Sequence, residues 1–164
     1  MRRSETACFA GHKTLAAKDR KMIKNKVAQI AEGLIHLGLK NFLCGGVTGF
    51  DTLAGFAVME LRERYPDIRL ILILPCRDRN AKWTHAQKAV YRQLLSGADK
   101  IHYIADKYND ICILQCNRYM IDHSICCVAY LTQQRNGTAC TVRLAKEKRL
   151  AVQNLAELNF EHIE

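Results

Sequence analysis

A chain of 164 residues with 49% hydrophobic and 25% charged residues has the balance of one globular domain with a full core, which excludes a disordered or fibrous protein. No apolar run is long enough to span a bilayer, and Met1-Arg2-Arg3-Ser4-Glu5 leads into no signal-peptide core, so the expectation is a cytoplasmic protein with no membrane partner. The net charge of +9 points to an anionic partner, although Lys18, Arg20, Lys21, Lys24 and Lys26 also read as one solvated helix face.

Thr6 to Ala10 is a short apolar strand that ends in Gly11-His12-Lys13. At the C-terminal end of a parallel strand these residues would line the crevice where open α/β sheets bind ligands. Asp19 to Leu37 has helical periodicity, with Ile23, Val27, Ile30, Ala31, Leu34 and Leu37 at three- and four-residue steps and Gly38 as a stop. Asn41 to Cys44 is the next strand. Gly45, Gly46 and Gly49 follow it, and a helix runs from about Leu53 to Arg64 with Asp51 or Thr52 as its cap. A glycine turn feeding a helix start offers backbone N–H groups and the positive end of the helix dipole to an anion. Its G-G-x-x-G spacing is neither the dinucleotide fingerprint nor a P-loop, so a plain tight turn is the competing reading.

Arg69 to Leu74 is a continuous apolar run, the pattern of a central strand buried on both faces. The loop after it carries Arg77 and Arg79, which suit a phosphate, and Trp83, which suits either a stacked base or a packing role. Thr84 to Ser96 is helical, Lys100 to Ile104 a strand, and Tyr108 to Asp122 a helix containing Asn117 and Arg118. Ile125 to Leu131 is another buried strand. A second strand–glycine–helix junction follows, with Gly137 at the turn and Thr138 as cap and candidate phosphate ligand. Leu150 to Asn154 closes the series, and residues 155–164 read as a peripheral tail. The strict alternation of strands and helices predicts a single α/β domain with a Rossmann-like, doubly wound, mainly parallel sheet flanked by helices.

Eight cysteines in such a chain are expected to be reduced, most of them acting as small hydrophobes in strands. Cys112, Cys116, His123, Cys126 and Cys127 are close in sequence. They lack paired C-x-x-C spacing, and Cys126 and Cys127 point to opposite faces of a strand, so no metal site and no cofactor is expected.

Taken together, Ala10-Gly11-His12-Lys13, Gly45-Gly46-Val47-Thr48-Gly49-Phe50-Asp51, Trp83, Asn117-Arg118-Tyr119-Met120-Ile121-Asp122 and Asn136-Gly137-Thr138-Ala139 resemble the YpsA-like branch of the SLOG superfamily. That superfamily includes the DNA-processing protein DprA and the cytokinin-activating phosphoribohydrolases. The resemblance runs from about Thr6 to Asn154. It implies a Rossmann-like fold, a nucleotide or nucleotide-derived ligand held on the glycine turns, and a homodimer. The enzyme branch carries Pro-Gly-Gly-x-Gly-Thr-x-x-Glu. Aligning Gly137-Thr138 with its Gly-Thr puts Thr141 in the glutamate's place, and a threonine cannot stabilise an oxocarbenium ion as a carboxylate does. Binding or sensing without the phosphoribohydrolase reaction is therefore the expectation. The alternatives are a nucleotide-processing hydrolase with Asp51 and His12 as acid–base groups, and a DprA-like nucleic-acid-binding protein. The expected ligand contacts are Gly11, His12, Lys13, Gly45, Gly46, Gly49, Asp51, Trp83, Arg118, Gly137 and Thr138.

Overall fold

In a computed structural model describing residues 1–46, 48–78, 81–134 and 136–158, the apolar runs form six strands and the amphipathic segments five α-helices. They alternate as β1 (Thr6–Gly11), α1 (Arg20–His36), β2 (Asn41–Cys44), α2 (Phe50–Leu61), β3 (Arg69–Leu74) and α3 (His85–Gly97). The series continues with β4 (Lys100–Tyr103), α4 (Cys112–Asp122), β5 (Cys126–Tyr130), α5 (Gly137–Glu147) and β6 (Ala151–Asn154). All strand pairs are parallel, in the order β4-β3-β2-β1-β5-β6. The chain steps outward from β1 to β4, then crosses back to lay β5 along the other side of β1. Gly11 pairs with Tyr130 at the end of that seam. Loops leaving β1 and β5 therefore diverge, and the crevice between them is the switch point of a doubly wound sheet.

Side chains alternate across the sheet, and both faces are buried, which is why the strands read as unbroken apolar runs. Phe9, Phe42, Leu70, Leu72 and Val128 face α1, α2 and α3. Cys8, Leu43, Ile71, Ile73, Cys127 and Ala129 lie in the opposite layer with α4 and α5. Helix α1 buries the stripe Ile23, Val27, Ala31 and Leu34. Burial of Ile23, Val27 and Leu34 stabilises the fold by about 1.5–3 kcal/mol each, so truncation of Val27 to alanine would weaken the α1–sheet contact directly. Gly38 ends the segment in the left-handed region (φ 95°). Helix α3 starts on a capping box: the Gln87 N–H donates to Thr84 Oγ1 and the Thr84 N–H to Gln87 Oε1.

Four expectations are corrected. Helix α2 begins at Phe50 rather than Leu53, with Gly49 (φ 78°) at its N-cap and no side-chain cap, so Asp51 and Thr52 sit inside the first turn. Helix α5 begins at Gly137 under a cap from Asn136, whose Oδ1 accepts the Ala139 N–H, so Thr138 is not the cap. Helix α4 starts at Cys112 rather than Tyr108. Packing also continues past Asn154: Leu155 is fully buried, and Lys26 Nζ donates to the carbonyls of Leu155 (3.4 Å) and Leu158 (3.1 Å). The rest of the expected tail, 159–164, lies outside the described residues, as do Val47, Arg79 and Arg135.

Seven of the eight cysteines are buried and Cys140 is exposed. Cys126 and Cys127 face opposite layers of the core. Among the described residues no three His, Cys, Asp or Glu side chains are placed to share a metal ion, and no helix is long and apolar enough to cross a membrane.

Candidate functional site

Gly11 brings the end of β1 flat against the Phe50 ring; a Cβ there would lie 2.2 Å from Phe50 Cγ. Phe50 in turn stacks on Tyr130 (centroids 6.1 Å apart, planes at 17°), and the His12 ring meets Tyr130 edge-on at 6.0 Å. This aromatic array holds His12 over the switch point, where it bridges the loops leaving β1 and β5. Its Nε2 accepts the Thr132 backbone N–H at 2.9 Å and lies 3.0 Å from Thr132 Oγ1, while Nδ1 is 3.1 Å from the side-chain amide of Asn136. An Nε2 that accepts from an N–H carries no proton. A second proton on the ring would set two N–H groups against each other, and burial independently lowers the pKa of His12 below its ordinary value. His12 is thus a neutral tie between two loops.

That tie forms one wall of a cavity of about 540 Å³, a size suited to a small organic ligand. Gly11, His12 and Lys13 line it from the β1 loop, and Gly137 and Thr138 from the start of α5. Asp51, in the first turn of α2, lines it too and is only 6% exposed. The helix start favours its negative charge. The thiol of Cys44 donates to the Asp51 carbonyl at 3.0 Å, and burial, then the Asp51 charge, raises that thiol's pKa. Thr141, at the position of the enzyme branch's glutamate, is also in the lining. Its hydroxyl donates back to the Gly137 carbonyl at 3.1 Å, a bond within its own helix.

Gly46, Gly49 and Trp83 line a second cavity of about 320 Å³, which shares Lys13 and Thr14 with the first. Trp83 stands edge-on to Tyr91, centroids 5.0 Å apart, at the start of α3. Gly46 (φ 65°) and Gly49 (φ 78°) carry the connection to α2, and a Cβ on Gly49 would meet the backbone oxygens of Lys13 and His12 at 2.3 and 2.5 Å. Phe50 N–H donates to the His12 carbonyl at 3.0 Å and Thr48 Oγ1 to that of Lys13 at 3.3 Å, so the two loops are laced together. Gly45 is buried behind them.

Arg118 lines neither cavity. It is exposed and lies 4.0 Å from Asp122. Its neighbour Asn117 faces the larger cavity instead, in line with Ile113 one turn earlier. Arg77 lays its guanidinium 4.3 Å over the Tyr103 ring. Sequence reasoning missed Asn117, Thr132 and Asn136. An asparagine directly before a glycine, after a strand, is a helix-start signal and would have revealed Asn136. Thr132 had no local signal, because its partner His12 is 120 residues away.

A parallel, doubly wound sheet with a loop-built crevice over its switch point defines a Rossmann-like α/β protein. A family model described as the YspA SLOG family matches residues 7–162, and the chain belongs to that family. The SPbeta prophage-derived protein YoqJ of Bacillus subtilis (strain 168) is 31% identical over 144 residues, covering 80% of this chain and 84% of its own length. The UPF0398 protein of Bacillus pumilus (strain SAFR-032) is 26% identical over 118 residues, 71% of this chain and 63% of its own. Among solved structures, DNA processing protein A (DprA) from Streptococcus pneumoniae superposes with a TM-score of 0.65 at 15% identity, over 91% of this chain and 49% of that one. DprA from Helicobacter pylori, studied for its single-stranded DNA binding mode, gives 0.62 at 17% identity, over 94% and 68%. These structural likenesses establish the fold alone, and the chain spans about half of the S. pneumoniae protein.

Proposed function

We propose that this chain binds a nucleotide or nucleotide-derived ligand in the crevice over β1 and β5, and does not carry out the phosphoribohydrolase reaction. Gly137 carries the reading. Among the described residues, its chain neighbours and own helix backbone aside, a Cβ on it would meet no atom within 4 Å, and its φ is not in the positive region, so neither packing nor the backbone there calls for a glycine. A ligand phosphate drawn close to the first turn of α5 would require one. Lys13, between the two cavities, supplies the charge for the phosphate. Asp51 suits a sugar hydroxyl, and the Trp83 cavity suits a base. Thr141 with its hydroxyl turned onto its own helix supports binding without glycosidic cleavage.

The test is calorimetry and thermal unfolding with AMP and ADP-ribose, followed by product analysis. A ligand at one hundred times its dissociation constant adds about 2.7 kcal/mol of stability. Gly137→Val should abolish that gain without lowering the stability of the free protein. Binding that survives the substitution overturns the reading, and release of free base would move the protein to the enzyme class. The net charge of +9 and the DprA-like fold support single-stranded DNA as a second reading. It predicts affinity that falls steeply with salt and survives Gly137→Val.

A further inference from the structure

Helix α4 is apolar on two sides. Cys116, Met120 and Ile121 point into the core. Ile111, just before the helix, and Leu114, in its first turn, are on the outward side, 56% and 60% exposed, and Tyr108 nearby is 53% exposed. The other large exposed hydrophobics, Met1, Met22, Leu37 and Val90, are scattered over the N-terminus, α1 and α3. Leu114 also lines the 540 Å³ crevice beside Ile113 and Asn117, so this apolar rim is continuous with the crevice mouth. Ile111, Leu114 and Arg118 follow at three- and four-residue steps, the spacing of a helix stripe that packs on another helix.

Charge identifies what fits this stripe. The chain carries +9, so most of its surface repels a second copy. Residues 106–122 differ: Asp106, Asp110 and Asp122 outnumber Lys107 and Arg118, which removes the repulsion and disfavours nucleic acid at this face. Consider two α4 helices antiparallel about a two-fold axis beside Leu114. Residues equally far before and after Leu114 then face each other. Asp110 and Arg118 are each four residues from it, one on either side. The axis therefore makes two Asp110–Arg118 pairs, flanking a centre built from Leu114 and Ile111 of both copies. Both charged groups are available. Asp110 is exposed and belongs to no ion pair among the described residues. The Arg118 side chain is 67% exposed, and its 4.0 Å distance from Asp122 is the outer limit of an ion pair.

We propose that a second copy of this chain docks on the outward face of α4, antiparallel about a two-fold axis beside Leu114, and that its Leu114 and Ile111 close the lip of the crevice. Each crevice then gains part of its wall from the other copy. This docking does not depend on what the crevice binds.

The experiment is sedimentation equilibrium of the full chain, where a dimer is expected at about 50 µM. Leu114→Asp should raise its dissociation constant by about a hundredfold or more, because the two-fold axis counts each substitution twice. Arg118→Asp sets like charges against each other at both ends of the interface and should weaken the dimer by about tenfold. Adding Asp110→Arg to Arg118→Asp should restore the wild-type constant to within about threefold. All three positions are exposed, so each variant should keep the far-ultraviolet circular dichroism of the folded chain. Leu114→Cys in a Cys140→Ser background should cross-link two copies through a disulfide on treatment with oxidised glutathione, since the other cysteines are buried. A wild-type monomer at about 50 µM, a dimer that Leu114→Asp leaves intact, or a charge reversal that restores nothing overturns the proposal. A dimer that does not cross-link at position 114 overturns the closure of the crevice.

Discussion

The glycines of the β1 and β2 loops and the glycine at the start of α5 look alike in sequence and are different in kind. At Gly11 and Gly49 an added Cβ would fall 2.2–2.3 Å from the Phe50 ring or from a backbone oxygen, and Gly46 and Gly49 have positive φ. Those positions are explained by the protein's own packing, and nothing about a ligand follows from them. At Gly137 the same Cβ would enter open space. In the proposed reading, the missing side chain there leaves room for a ligand. A glycine turn is therefore informative about binding only where the fold does not already require it.

Substitutions sharpen that contrast, and the largest effect is expected at Gly49. Gly49→Ala combines a left-handed backbone with a collision against the Lys13 carbonyl. Urea denaturation should show a loss of about 3 kcal/mol or more, or no folded protein. Gly11→Ala pushes on an aromatic ring held by Tyr130 and should cost about 1–3 kcal/mol in the same measurement. Asn136→Ala removes the α5 cap, for about 1 kcal/mol.

His12 gives a pH test. Its pKa in the folded protein is below the ordinary 6.5, so as pH falls the unfolded chain takes up the proton first. The stability from the neutral ring is complete above about pH 6.5 and is lost as pH falls through the folded value. Unfolding midpoints measured from pH 8 to pH 5 should fall more for the wild type than for His12→Gln. A parallel fall in both proteins would remove the neutral tie. Gly137→Ala has the smallest effect on folding: unchanged stability or a gain of about 0.4–1 kcal/mol, because alanine narrows the unfolded ensemble. Its nucleotide affinity should drop nonetheless, and a variant that is both stable and fully binding would erase the contrast.

The architecture was legible because it rests on period. Unbroken apolar runs marked doubly covered strands, and three- and four-residue steps marked helices. Boundaries were misjudged where backbone conformation decides them. Gly49 lets α2 start one turn earlier than a side-chain cap at Asp51 or Thr52 would, and Asn136 outcompetes Thr138 at α5. Within the candidate site, the residues after strand ends could be found, since parallel strands deliver their loops to one edge. Three features were not legible: the exchange of Arg118 for Asn117, the division of the glycine turns between two cavities, and the His12–Thr132 contact. Each depends on helix rotation or on a pairing remote in sequence. Lys13 carried no signal that it stands between both cavities.

The seam between β1 and β5 has a kinetic consequence. Every other strand pairs with the strand next to it in sequence, whereas the His12–Thr132 contact at the end of this seam closes a loop of 120 residues. Closing so long a loop gives little reward until most of the sheet exists, so β1 to β4 can assemble by local steps while β5 and β6 dock late. Substitutions along the β5 docking surface, such as Val128→Ala, should mainly speed unfolding, whereas those between β1 and β2, such as Phe42→Leu, should slow folding. The crevice between β1 and β5 is thus the last part of the molecule to come into being.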